Sequence, residues 1–295
     1  MIAAFKYLII WLGLNLVGAS LFYVVGGVVC YSFGHEFTTA EDLVYNPWML
    51  SGAMLLIDLL VLLVFWKRRY ARFNFSYGFT YGEGFSTNKL FLWAGVGAIG
   101  CLLLEILAQY YLPVPQDLEV NGYLEALMVN PVGLMVACLI GPLAEEAIFR
   151  GAIERRLLEK HWNHWFAIVI SALFFALAHF NFAQGLTAIV MGCFLGWVYY
   201  RTRSIWVTAF MHMTNNTIAC LISFIEPETM NDEAYNMPLS IGIPMLLLSL
   251  IIIGTAAKRI GRMTDERTPI PAPVTEVLPP PLPIEGIGDA IPPEA

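Results

Sequence analysis

Apolar runs long enough to cross a bilayer recur along this chain, and its basic residues fall only in alternate gaps between them. Eight runs can be drawn, at about 8–29, 48–66, 90–112, from 131 past 150, 166–182, 186–200, 205–225 and 239–257. A hydrocarbon core about 30 Å thick is crossed by a helix of roughly 20 apolar residues. Lipid offers the backbone no hydrogen-bond partner, so spans of this kind must be helices. With the N-terminus inside, eight spans place all 16 Lys and Arg in inward segments and none in outward ones. Positive charge is retained on the cytoplasmic side. The expectation is an all-α, polytopic integral membrane helix bundle of about eight transmembrane helices with both termini cytosolic.

Composition agrees: 58% of residues are hydrophobic and 13% charged, where a soluble globule carries about 25% charged residues. The net charge of -7 resides in acidic loops and an acidic tail. No basic cluster is combined with exposed aromatics, which excludes nucleic acid as a partner. Cys30, Cys101, Cys138, Cys193 and Cys220 lie in or beside apolar runs without a CxxC pair, which argues for buried hydrophobes rather than a disulfide framework or zinc ribbon. The first run is too long for a signal peptide core and reads as a span.

The division expected is a transmembrane helical domain over 1–262 and a Pro-rich, disordered cytosolic tail over 263–295. Nine of the 17 prolines follow Thr268, and a stretch with that composition and no apolar periodicity has no core to build. The aromatic-rich stretch 73–89 reads as an interfacial loop. Glu105, without a partner nearby in sequence, is expected near the outer boundary of the third span. His35-Glu36 is followed by Thr39 where HExxH needs a second histidine, so it is no zinc motif. His161 and His164, among tryptophans, read as an interfacial belt rather than a metal pair.

The chemistry concentrates in Glu145-Glu146-Ala147-Ile148-Phe149-Arg150 within the fourth span. Charge at membrane depth is costly and marks a functional site. Residues four apart share a helical face, so Glu146 can pair with Arg150 while the adjacent Glu145 points elsewhere. The fifth span sets Phe175 and His179 on one face, and the seventh sets His212 and Asn216 on one face. A carboxylate with a histidine can take a proton from water, and a histidine with an amide can donate to a developing oxyanion. These are the parts of a peptide hydrolase. A proton-coupled transporter would also use buried Glu and His as relays, although no inverted repeat of broken helices is evident.

The ordered motifs Glu145-Glu146-x-x-x-Arg150, Phe175-x-x-x-His179 and His212-x-x-x-Asn216 resemble the CAAX-protease and bacteriocin-processing family of glutamate-dependent intramembrane proteases. The resemblance covers about 131–225, and Phe149-Arg150-Gly151 is also similar to the family. It implies an intramembrane endopeptidase acting on a membrane-associated protein or peptide, of CAAX or bacteriocin type, with lipids and a peptide or lipidated substrate as partners. Its place is a multi-pass membrane, the inner (plasma) membrane in a prokaryote. By motif, Glu145 is the general base, His179 its partner, and His212 and Asn216 are oxyanion donors; Glu146, Arg150 and Phe175 support the site. A non-catalytic immunity or scaffold protein of the same fold is the alternative, and oligomeric state stays open. No cofactor is favoured, although Glu145, His179 and His212 match the ligand count of a catalytic zinc site. Asn216, a poor zinc ligand and a good amide donor, tips the reading toward direct water activation.

One requirement follows from counting. At about 1.5 Å per residue, Glu145 lies roughly 22 Å from the outer end of the fourth span, and His179 roughly 21 Å from the inner end of the fifth. Their depths then differ by about 13 Å in a core about 30 Å thick. Helix tilt, or helices that begin outside the bilayer, must close that gap.

Overall fold

The computed structural model describes residues 2–34, 39–71, 85–111, 126–160, 162–179, 182–225 and 237–264. It is helical throughout: α1 (Ile2–Ser32), a short α2 (Ala40–Val44), α3 (Pro47–Lys67), α4 (Thr87–Tyr111), α5 (Pro131–Glu159), α6 (His164–Leu177), α7 (Phe182–Thr202), α8 (Ile205–Ile225) and α9 (Leu239–Met263). Five of them, α1, α3, α4, α5 and α9, are long and apolar enough to cross a membrane, and α6 is a shorter apolar helix. The protein is an all-α, multi-pass membrane helix bundle. The His35-Glu36 pair, His161, most of the 73–89 loop, and the tail after Thr264 lie outside the described residues.

Helix starts follow local chemistry. Asn46 caps α3, its side chain accepting from the backbone N–H of Trp48 and Met49, with Pro47 in the first turn. Asn130 caps α5 in the same way, accepting from Gly133 N–H at 2.9 Å. Its amide also donates to Ser51 Oγ at 2.9 Å and Pro47 O at 3.1 Å. Asparagine before Pro satisfies backbone donors that the first turn leaves free, and here it also locks the starts of α3 and α5 together.

α5 is the central element. Ile148, Phe149, Ile153 and Leu157 are buried against Ala4 of α1, Ile57, Val61 and Phe65 of α3, Ala167 and Phe175 of α6, and Ile205 of α8. A second core joins Leu90, Ala94 and Ala98 of α4 to Met191 and Leu195 of α7, Val207 and Met211 of α8, and Ile260 of α9. Exposed apolar side chains such as Leu16 and Val24 of α1 and Leu247 and Ile251 of α9 form the lipid-facing surface.

Two wide turns interrupt α5, at Val136–Ile140 and Phe149–Glu154. Pro142 explains the first, since proline inside a helix removes one backbone donor and crowds the carbonyl four residues back. The helix widens, Gly141 N–H reaches back to Val136 O, and Ala137 O is released from its usual partner. At the second turn Arg155 N–H bonds Ala152 O and Arg150 O. Gly151 O, freed in turn, accepts from Arg155 Nε at 2.7 Å. Such turns are frequent at functional sites, and these two bracket Glu145 and Glu146.

Candidate active site

The α5–α6 hairpin meets the depth requirement by register. α5 runs on to Glu159 and α6 begins at His164. Glu145 therefore lies about 21 Å from one side of the turn and His179 about 22 Å from the other, at 1.5 Å per residue. Ser171 Oγ donates to Phe149 O at 2.8 Å and fixes the pairing. The counted gap came from setting Pro131 at the outer boundary; α5, at 29 residues, is longer than a core about 30 Å thick requires.

Glu146 and Arg150 are both fully buried and bond at 2.6 Å, one turn apart. Arg150 also donates to Gly192 O of α7 at 3.1 Å, and its guanidinium lies 4.8 Å from the centre of the Phe175 ring. Gly192 permits this approach: a side chain there would begin 3.1 Å from Ala172 and 3.2 Å from Phe175. The small residues at 192 and 196 thus let α7 lie against α6, as close helix contact in lipid requires.

Phe175 is the hinge point of the cluster. Its ring meets Phe149 at 5.3 Å, His179 at 4.9 Å and His212 at 5.5 Å, in each case steeply tilted or edge-on. Edge-on contacts of this kind are the favoured aromatic geometry. The two histidine rings are oriented by one buried phenylalanine.

Their nitrogens face different groups. His179 stands in the turn after α6, where the sequence reading extends that helix to 182. Its Nδ1 lies 2.9 Å from Phe175 O; a carbonyl only accepts, so Nδ1 carries the proton and Nε2 presents a lone pair in the neutral ring. The imidazole takes one of the last helical carbonyls, which caps α6 there. His212 Nδ1 lies 3.2 Å from Glu146 Oε1, and its Nε2 lies 3.7 Å from Glu145 Oε2. The Glu145 side chain is 32% exposed where that of Glu146 is 0%. The adjacent glutamates therefore differ in environment: one is sequestered with Arg150, and the other opens to the surroundings beside His212.

Asn216 Nδ2 donates to Ala137 O at 3.0 Å, the carbonyl that the first wide turn released. Its second amide hydrogen is not used by that bond. The neighbouring Asn215 is more buried and donates to Glu105 Oε2 at 3.0 Å. This corrects the expectation that Glu105 lacks a partner: it is partly buried and bonded to α8. The partner is 110 residues away in sequence. Among the described residues no three His, Cys, Asp or Glu side chains converge as a metal-holding group. His164, read as interfacial, stacks on Tyr200 at 4.5 Å.

The Type II CAAX prenyl endopeptidase Rce1-like family matches residues 128–218, a span holding all seven motif residues. A Bacillus subtilis (strain 168) protein named "Putative membrane peptidase YdiL" is 30% identical over 168 residues, 55% of this chain and 68% of the relative. The chain belongs to the Rce1-like CAAX endopeptidase family. It is thus a membrane protease of that family. No solved structure matches it.

Several residues of this family member were not singled out from sequence. The Gly192–Gly196 spacing signals close helix contact, but nothing in the sequence marks the Gly192 carbonyl that Arg150 uses. Glu154, one turn beyond Arg150, is fully buried with neither carboxylate oxygen hydrogen-bonded to a described residue. A Cβ on Gly196 would sit 2.9 Å from Glu154 Oε2, so glycine makes room for that carboxylate. Arg203, in the turn after α7, acts on Glu154 and is shifted below its ordinary value by burial. Asp58 could have been noticed as a lone carboxylate inside an apolar span.

Proposed function

We propose that this protease hydrolyses a peptide bond of a membrane-associated protein or peptide with water activated between Glu145 and His179. The observation that carries the reading is the contrast between the two glutamates: Glu146 is spent on Arg150 and His212, while Glu145 is half-open and has no Arg or Lys partner among the described residues. A carboxylate so left is free to take a proton. The His179 Nε2 lone pair, presented by the Nδ1 bond to Phe175 O, accepts from the same water. Water oxygen attacks the carbonyl carbon, Glu145 receives the proton, the C–N bond breaks, and the proton passes to the amine.

The oxyanion needs donors. His212 holds Nδ1 against Glu146 Oε1, and its Nε2, when it carries a hydrogen, serves as one donor. Asn216 offers its second amide hydrogen, its first being anchored on Ala137 O. Donors fixed before the reaction stabilise developing charge without reorganisation. Both histidines held by Nδ1 would equally present Nε2 to a metal, so the water reading is separated from a zinc one by experiment.

Family membership makes C-terminal prenylated peptides the first substrate class to test and bacteriocin-type peptides the second. The full-length protein, purified in detergent, is expected to cleave a farnesylated CAAX-type peptide, and Glu145→Gln is expected to be inactive. A well-folded wild type that cleaves neither substrate type favours the non-catalytic alternative. A Glu145→Gln variant with undiminished cleavage overturns the assignment of the base.

A further inference from the structure

Asp58 sits near the middle of α3 (Pro47–Lys67), at a depth where an unpaired carboxylate is costly. Its Oδ2 is buried and has no hydrogen-bond partner. No cation among the described residues pairs with it, and the charged side chain acting on it is Glu145. A Cβ placed on Gly141 would lie 3.5 Å from Asp58 Oδ2. Gly141 is one turn before Glu145 on the same face of α5, and helical side chains lean toward the N-terminus over the preceding turn. Asp58 therefore reaches, from α3, the face of α5 that carries Glu145. A buried acceptor without a partner forfeits a hydrogen bond; beside the base of a hydrolase, substrate supplies the missing donor.

We propose that Asp58 Oδ2 accepts the N–H of the scissile amide and keeps hold of the leaving amine. The inference rests on the reading of Glu145 as the base. In the step concerned, the C–N bond breaks and its electron pair stays on nitrogen, which takes the proton that Glu145 removed from water. The carboxyl that delivers this proton must touch the nitrogen, and Asp58, on the same face of α5, is placed to take the N–H already present. Asp58 thus selects for an amide over an ester at the scissile position, since an ester has no hydrogen to give.

The test compares a farnesylated CAAX-type peptide with its depsipeptide, identical except for an ester at the scissile bond, on the full-length enzyme. Asp58→Leu is expected to lower kcat/KM for the amide by about ten- to a hundredfold, the scale of leaving a buried donor unsatisfied. Ester cleavage changes by less than about threefold. Its melting temperature equals or exceeds that of the wild type, because an unpartnered buried polar group has been removed. Asp58→Asn, which keeps an acceptor oxygen, recovers part of the amide rate. Equal loss on amide and ester, no loss on either, or loss together with a lowered melting temperature overturns the proposal. Should Asp58→Leu not accumulate, Asp58→Ala removes the acceptor without added bulk and is held to the same comparison. Glu145→Gln separates the two readings: silence on both substrates keeps the base assignment whatever Asp58 does, and cleavage of both removes it.

Discussion

Glu146 Oε1 lies 3.2 Å from His212 Nδ1, so the carboxylate that neutralises Arg150 also fixes the ring of a histidine on a different helix. A fold-stabilising ion pair and the orientation of a reacting group thus share one oxygen. Damage to the pair should appear in both stability and rate.

The two glutamates are therefore expected to separate in a stability assay. Glu146→Ala leaves fully buried Arg150 without its 2.6 Å partner, at a cost of about 3 to 5 kcal/mol, read as lower expression and a lower melting temperature. Glu145→Ala, at a half-open side chain, should abolish cleavage with a melting temperature close to wild type. Equal effects of the two substitutions in both assays would contradict this division.

Asn216→Ala should lose about 10²- to 10³-fold in kcat if the second amide hydrogen serves the oxyanion. It also orphans Ala137 O, which costs about 1 to 3 kcal/mol. The discriminating measurement is Asn216→Ser assayed alongside it: a hydroxyl can restore the bond to Ala137 O but has no second hydrogen, so stability should recover while kcat stays low. Full recovery of both would reduce Asn216 to a helix fastener.

Direct water activation predicts that purified enzyme carries substoichiometric metal. Cleavage should survive prolonged exposure to a chelator that reaches the cavity. Loss of activity on chelation, restored by Zn²⁺ with one ion bound per chain, would replace the mechanism and leave the protease assignment standing.

The one-sided distribution of all 16 Lys and Arg predicts both ends of the chain in the cytosol and eight spans. A reporter fused after Arg267 should be cytosolic, and one placed in the loop at 227–236 should be outside. An external reporter after Arg267 is the result that rules this topology out.

Sequence periodicity determined the helices and the pairing of Glu146 with Arg150, because both depend on residues within one turn of each other. Apolar length does the same for α1, α3, α4, α5 and α9, since crossing lipid is a property of a single segment. The order of the three motifs marked Glu145, His179, His212 and Asn216 for the site. Contacts between segments distant in sequence were decided only by the tertiary structure. Glu105 finds Asn215 across 110 residues, Arg150 finds a carbonyl of Gly192 that no side chain announces, and Asp58 reaches the face of α5 that bears Glu145. The wide turns in α5 belong to the same class. Proline at 142 makes a disturbance predictable, but which carbonyl is released, and that Asn216 answers it, depends on how α8 packs. Local chemistry sets what each helix can offer; only packing selects which offers meet.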